Sequence, residues 1–381
     1  MIQDKLIGQE KIWERLLAAY ESNHIAGAYL FHGSAGVGKE GMAIRFAALL
    51  NCTADGYYPC GNCSSCVKFN SLQHPNLTLI YPLPKDKEIN KGDSPLKALK
   101  DETIAAVVEQ IKLKSNDPYI KVRLPRSNTI LINSIREVRE KIYLKAIEVG
   151  RKVVLIFDAD LLMTGEGSSA NALLKILEEP PPDSTFILTT DYPERLVETI
   201  SSRCQQVFFP PVPVAVIEDY LRSSTGKPAE EARLIAHLAQ GNVRMAKHLL
   251  NEDLSEVQDL LESLVVWMTD RTEKSWRSFT HHAAETFWTN PQELNFHFQL
   301  LSYWFRDAQL IKKMNGNAVI ILEGMEERLR KFVAQYPRGD FARIVQVLET
   351  CFGALARNYN LNLVITNLLF DIQDSLQGTA K

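Results

Sequence analysis

Gly33-Ser-Ala-Gly-Val-Gly-Lys-Glu40 is the stretch on which the reading of this chain turns. It follows Gly27-Ala-Tyr-Leu-Phe-His32, a short apolar run that reads as a buried strand. Residues 41–50 come next, rich in alanine and leucine and helical in pattern. Strand, glycine loop, helix is the order a phosphate-binding loop requires. The spacing of Gly33, Gly36, Gly38 and Lys39 fits that template up to its last position. In a working loop, backbone N–H groups cradle phosphates, the lysine reaches the β- and γ-phosphates, and a Ser or Thr ligates Mg²⁺. Here that last position is Glu40. A carboxylate suits a helix N-terminus, but it competes with phosphate for the same N–H groups and repels it. As a direct Mg²⁺ ligand its longer side chain would disturb the spacing. Two readings stay open: a loop that holds ATP with magnesium, and a loop that only closes a strand-to-helix turn and stays empty.

Outward from the loop the pattern is that of an α/β protein. Residues 10–22 read as an amphipathic helix with Ile12, Leu16, Leu17 and Tyr20 on one face. Further strands are expected over 77–81, 152–157, 185–190 and 206–209, and helices over 135–149, 169–177 and 195–201. Strands alternating with helices predict a parallel sheet. Pro210, Pro211 and Pro213 mark a boundary. Beyond it no strand is convincing: 214–250 read as three short helices and 255–381 as long ones, with Leu300, Leu301, Trp304, Phe305 and Leu310 at helical spacing. The expected architecture is α/β followed by all-α. A P-loop sheet domain over 1–209 precedes a small helical domain over 210–252 and a C-terminal helical domain over 253–381.

The chain has 381 residues, 45% of them hydrophobic and 23% charged, which excludes a mainly disordered or fibrous protein. The net charge of −3 supplies no basic excess to hold a duplex by electrostatics alone. That argues against an autonomous nucleic-acid-binding module. No apolar run approaches membrane-spanning length, and MIQDKLIGQE does not read as a secretory leader. A cytoplasmic location without membrane contact is expected.

A P-loop motor needs an acidic pair at the tip of a later strand, one carboxylate for magnesium and one to polarise the attacking water. The strand over 152–157 ends in Asp158-Ala159-Asp160. If Asp158 serves the metal, the base position is Ala159; if Asp158 is the base, the metal position is Phe157. Either register lacks a carboxylate, so efficient ATP hydrolysis by this chain is not expected. Asp160 is free to cap the next turn. Cys52, Cys60, Cys63 and Cys66 offer four thiolates within 15 residues, enough for a closed tetrahedral zinc site with a structural role. Cys204 and Cys351 read as ordinary buried thiols. Residues 83–127 differ in character: 17 of the 45 are charged and four are proline, so they read as a solvated insertion, helical over 103–112.

Together these residues resemble the clamp-loader subunits of bacterial DNA polymerase III, within the AAA+ ATPases, over nearly the whole chain. The likeness is carried by Lys5-Leu-Ile-Gly-Gln9 and by the P-loop followed by four cysteines. It is carried further by Asn171-Ala-Leu-Leu-Lys-Ile-Leu-Glu-Glu-Pro-Pro181, Phe186-Ile-Leu-Thr-Thr190 and Ile200-Ser-Ser-Arg-Cys-Gln205. Gly241-Asn-Val-Arg244, Trp304-Phe-Arg-Asp307 and Asn358-Tyr-Asn360 complete it. The resemblance implies a lid domain over 210–252 and a collar over 253–381. It implies that Arg203, in the Ser-Arg-Cys motif, reaches a neighbouring subunit's ATP as an arginine finger. Thr189 or Thr190 would sense a γ-phosphate, Arg244 would contact a nucleotide in its own subunit, and Lys175 would be a candidate phosphate contact. The implied partners are gamma/tau and delta subunits in a hetero-pentameric ring, the sliding clamp, and primer-template DNA reached through the assembly. The family's motor members carry an intact Gly-Lys-Ser/Thr loop and an Asp-Glu pair. With Glu40 and a broken acidic pair, this sequence is similar to the family's stator member instead; an active gamma/tau-like ATPase is the alternative.

Overall fold

Each of the five stretches read as a strand forms one, and all five join a single parallel sheet in this computed structural model. They are β1 (Ala28–Gly33), β2 (Leu77–Ile80), β3 (Lys152–Ile156), β4 (Ser184–Thr190) and β5 (Gln205–Phe209), in the spatial order β2-β3-β4-β1-β5. The structure describes residues 6–54, 56, 59–164, 167–289, 291–314, 320–322, 324–355 and 360–378. They fall into two compact units, one of residues up to 226 with 239–246, the other of residues 227–238 with 247 onward.

The helices of the first unit are α1 (Glu10–Glu21), α2 (Lys39–Leu49), α3 (Ser64–Asn70), α4 (Asp101–Asn116), α5 (Ile132–Ile142), α6 (Ser168–Leu177), α7 (Glu198–Ser201) and α8 (Val214–Thr225). Parallel strands need cover on both faces, and β4 is buried at every position. On one face Leu30, Val154, Ile156, Phe186 and Leu188 pack with Ile135 and Val138 of α5 and Leu173 and Ile176 of α6. On the other, Tyr29 meets Phe46 of α2 edge-on at 5.3 Å, and Phe31 meets Phe209 at 5.2 Å. Apart from Arg45, α2 is buried all round, which explains its lack of a polar stripe.

Two expectations are corrected. The helix read over 135–149 ends at Ile142. Lys152 reaches back from β3, and its ammonium caps the helix end by donating to the carbonyls of Lys141 and Ile142, each at 3.0 Å, and to that of Leu144. The second correction concerns 83–127. This insertion is not simply solvated: Leu83, Ala98, Leu99, Tyr119, Val122 and Leu124 are buried, and Lys114 is fully so. Its helix α4 extends beyond the stretch expected and is largely exposed, but its last turn and the segment behind it fold onto the glycine loop.

The chain passes between the units within α9 (Ala229–Ala239) and again within α10 (Val243–Leu249). Among its described residues the second unit is all helical, with α11 (Leu254–Thr269), α12 (Glu273–Thr289), α13 (Pro291–Met314), α14 (Glu326–Gln335), α15 (Phe341–Leu355) and α16 (Leu361–Gln377). Leu300, Leu301, Trp304 and Phe305 of α13 are buried, as their spacing predicts, whereas Leu310 is half-buried. Phe305, Phe332 and Phe341 form an aromatic cluster with centroids 5.6–6.5 Å apart. Asp307 is fully buried. Its Oδ2 accepts the N–H groups of Ile321 and Leu322, each at 2.8 Å, so this acid of the Trp304–Asp307 stretch fixes a turn of the chain. Asn360 caps α16 by accepting the Leu363 N–H. Lys5, Asn358 and Tyr359 lie outside the described residues.

Candidate nucleotide site and metal centre

The glycine loop joins β1 to α2 as the sequence requires. Gly33 has φ +127°, and a Cβ there would lie 2.2 Å from the Phe209 carbonyl oxygen. Gly36 has φ +69°, and a Cβ there would lie 1.7 Å from Asn242 Oδ1. Both positions therefore demand glycine. Asn242 Oδ1 also accepts the Met245 N–H at 2.9 Å, and the Arg244 N–H donates to the Gly36 carbonyl at 3.3 Å. The Gly241–Arg244 stretch is thus brought against the loop. Gly38, Lys39, Glu40, Asp158, Thr189, Thr190 and Arg244 line one cavity, joined there by Lys121 and Asp191.

Lys39 is folded back within that cavity: its ammonium donates to the Gly33 and Ser34 carbonyls at 2.9 and 2.5 Å and pairs with Asp191 at 2.6 Å. Lys121, from the insertion, lies 2.5 Å from Asp158 and 2.8 Å from Asp191. Glu40 is buried and pairs with Lys114 at 2.5 Å. In this arrangement Lys39 is turned to Asp191 and is not extended toward a phosphate. A divalent ion between Asp158 and Asp191 does not fit it, because the Lys121 ammonium stands there.

The electrostatics are internally balanced. Burial works against charge on Lys121, but Asp158, Asp191 and Glu40 outweigh it and hold its pKa above the usual lysine value. Burial likewise pushes Asp191 upward, and Lys121 with Lys39 overcomes that and drives it far below the normal carboxylate range. Asp158 is also lowered, against burial, by Lys121 and Arg123. For Lys114 and Lys39, burial prevails over the facing carboxylates and lowers the pKa.

Asp160 behaves differently. Burial raises its pKa, opposed by the Thr190 hydroxyl that donates to Oδ1 at 2.7 Å. The same Thr190 oxygen accepts the Tyr192 N–H at 2.9 Å, so both its hydrogen-bonding roles are taken within the chain. An acid with a raised pKa in the fold opposes stability once the pH exceeds its unfolded value. Asp160→Asn keeps the acceptor and removes the charge. It is expected to raise the denaturant midpoint at neutral pH, with the gain vanishing below about pH 4; unfolding curves at the two pH values check this.

Arg203 sits apart from these groups, on the turn between α7 and β5. It is partly exposed, donates to the Thr199 carbonyl at 3.0 Å and pairs with Glu178 at 3.1 Å. Lys175 is exposed on α6.

The four cysteines converge. The Sγ atoms of Cys52, Cys60, Cys63 and Cys66 all lie within 4.8 Å of one another, and those of Cys60 and Cys66 are 4.0 Å apart. Tetrahedral Zn–S bonds of about 2.3 Å put sulfurs about 3.8 Å apart, so the donor set fits a metal ion of that kind. Backbone N–H groups of Cys60, Cys63 and Cys66 point at the sulfurs of Cys52, Cys60 and Cys63 at 3.3–3.4 Å. Such donors stabilise thiolates. Around the cluster, Phe69 of α3 stacks on His74 at 4.2 Å, His74 Nδ1 accepts the Asn76 N–H, and Glu148 faces both Lys68 and His74. A bound metal would close the loop between α2 and α3, and these contacts tie α3 to the segments that lead into β2 and β3. Cys204 and Cys351 are buried and outside the cluster.

Sequence reasoning missed Asp191, Lys114, Lys121 and Asn242. Two signals pointed to the first three: an acid at the tip of β4 beside the glycine loop, and a Glu in a buried first turn that needs a cation.

A parallel sheet with a glycine loop leading into a buried helix defines the P-loop class of α/β domain. Within it, the chain belongs to the family described as DNA polymerase III, delta subunit, whose family model matches residues 8–213. It is 28% identical to the DNA polymerase III subunit delta′ of Bacillus subtilis (strain 168), across 96% of each chain. It is 26% identical to the subunit delta′ of Escherichia coli (strain K12), across 96% of this chain and 94% of the relative. The DNA polymerase III subunit tau of B. subtilis is 30% identical, over 68% of this chain and 39% of the relative. Among the described residues no helix is long and apolar enough to cross a membrane.

Proposed function

We propose that this chain is the stator, the delta-prime-type subunit, of a clamp loader of the AAA+ class. It takes one fixed place in a ring with gamma/tau and delta subunits and helps open a sliding clamp and load it on primer-template DNA. Arg203 is its contribution to chemistry: a guanidinium with a permanent charge and a rigid fork of donors, offered in trans to the γ-phosphate of a neighbour's ATP. The long C-terminal helices join the ring's collar, and the four cysteines hold a structural zinc. The observation that carries this reading is the contrast between two sites. The chain's own glycine loop is filled by its own lysines, whereas Arg203 stands at the surface in an ion pair that is easily exchanged.

The test is a titration of the purified chain with a fluorescent ATP analogue, with and without Mg²⁺, and a turnover assay on the same sample. No saturable binding and no turnover are expected. Sustained turnover would make the chain a gamma/tau-like motor, the reading that the retained Lys39 and the likeness to tau favour.

A further inference from the structure

A metal-dependent P-loop site places a divalent cation between acidic groups at the strand tips and the phosphates. This chain has two such acids, Asp158 after β3 and Asp191 after β4, at the ends of adjacent strands beside the glycine loop. What lies between them is an ammonium. Lys121 Nζ is 2.5 Å from Asp158 Oδ1 and 2.8 Å from Asp191 Oδ2, while the second oxygen of Asp191 takes Lys39 at 2.6 Å. A magnesium ion bound by the same carboxylates, at about 2.0–2.1 Å from each oxygen, would need the volume Lys121 fills. Lys121 and Lys39 pair directly with both aspartates, and Arg123 and Arg244 add positive charge nearby, so the pair offers little to draw a cation in.

The insertion is built to deliver that ammonium. Lys114, the fully buried lysine of α4, does two things at once: it neutralises Glu40 and donates to the carbonyls of Pro118 and Ile120 at 3.1 and 2.6 Å. The carbonyls it holds flank the turn immediately before Lys121. Tyr119 pins the same turn by accepting the Ile7 N–H at 2.9 Å. Pro118 lies so close over α2 that a Cβ on Gly41 would approach it to 2.6 Å.

We propose that Lys121 is the resident cation of the glycine-loop site, a tethered substitute for the divalent ion, and that the insertion over 83–127 serves to hold it there. Both aspartates are then paired without any ligand from solution. This deepens the reading of an inactive nucleotide site and rests on it.

Replacing the ammonium should expose the ion site it fills. In the full-length zinc-loaded chain, Lys121→Ala leaves Asp158 and Asp191 facing an unfilled space. That variant is expected to bind Mn²⁺, read by loss of the free-ion electron paramagnetic resonance signal, and to gain thermal stability as Mn²⁺ rises. Lys121→Ala with Asp191→Asn is expected to lose the gain, and Lys121→Arg to remain indifferent to Mn²⁺ like the native chain. A Lys121→Ala chain that folds and gains no Mn²⁺ site overturns the proposal. Should that variant fail to fold with or without Mn²⁺, the native chain decides. Its amides over 39–42 are expected to exchange hydrogen equally slowly with and without millimolar Mn²⁺. Native-chain Mn²⁺ binding that Asp158→Asn abolishes overturns the proposal. The failure of the underlying reading is separate, since it shows as ATP turnover by the native chain.

Discussion

Arg203→Ala, placed in the reconstituted ring, is expected to lower ATP turnover by the neighbouring subunit by roughly 10²-fold or more. Removing one preorganised donor to developing charge typically has that effect, and arginine fingers in GTPases reach about 10³–10⁵. The isolated variant is expected to melt with the native chain. Its exposed pair with Glu178 at 3.1 Å belongs to a class of surface ion pairs worth about 0–1 kcal/mol. The same weakness makes the guanidinium available, because leaving Glu178 for a phosphate gives up little. Arg203→Lys is expected to restore only part of the rate, since an ammonium keeps the charge but not the fork. Unchanged turnover and clamp loading by Arg203→Ala would leave the chain an assembly scaffold without a finger.

The second large effect is expected at the cysteines. Cys66 is the most buried of the four, and Cys66→Ser removes a soft thiolate from a closed set. Zinc content by atomic absorption is expected to fall from one per chain toward none. Loss of a structural metal is among the few single changes that destabilise strongly, here by about 3 kcal/mol or more, or roughly 6–12 °C in a unit of this size. Cys204→Ser, in the sheet's core and outside the cluster, is expected to keep its zinc. If Cys66→Ser retained a full equivalent, the ligand set would be different from these four.

The parts of the structure that were legible in the sequence are those whose signals are local. Strand, glycines and helix are contiguous over 27–50, and the cysteines fall within one short loop, so spacing alone identifies both. The inward-facing residues of α13 repeat at helical period and are buried accordingly. The insertion reads as solvated in the sequence because the partners that bury its lysines are remote. Lys114 and Lys121 look like solvent residues until Glu40, Asp158 and Asp191 are placed against them, and those partners lie between 37 and 74 residues away along the chain. No periodicity encodes a buried ion pair of that span. The end of α5 failed for a related reason: the lysine that caps it sits on the next strand.

The strand order β2-β3-β4-β1-β5 bears on how the chain is made. β1 leaves the ribosome first, yet its two neighbours in the sheet are the last strands synthesised. At about 5–20 residues per second, the roughly 150 residues from β1 to β4 take about 8–30 s to appear. Through that interval Tyr29, Leu30 and Phe31 have no sheet to join, and α2 carries almost no polar face with which to shield them. The nascent chain therefore presents a sticky apolar segment for many seconds. Newly made protein is expected to depend on a holdase far more than its finished stability would suggest.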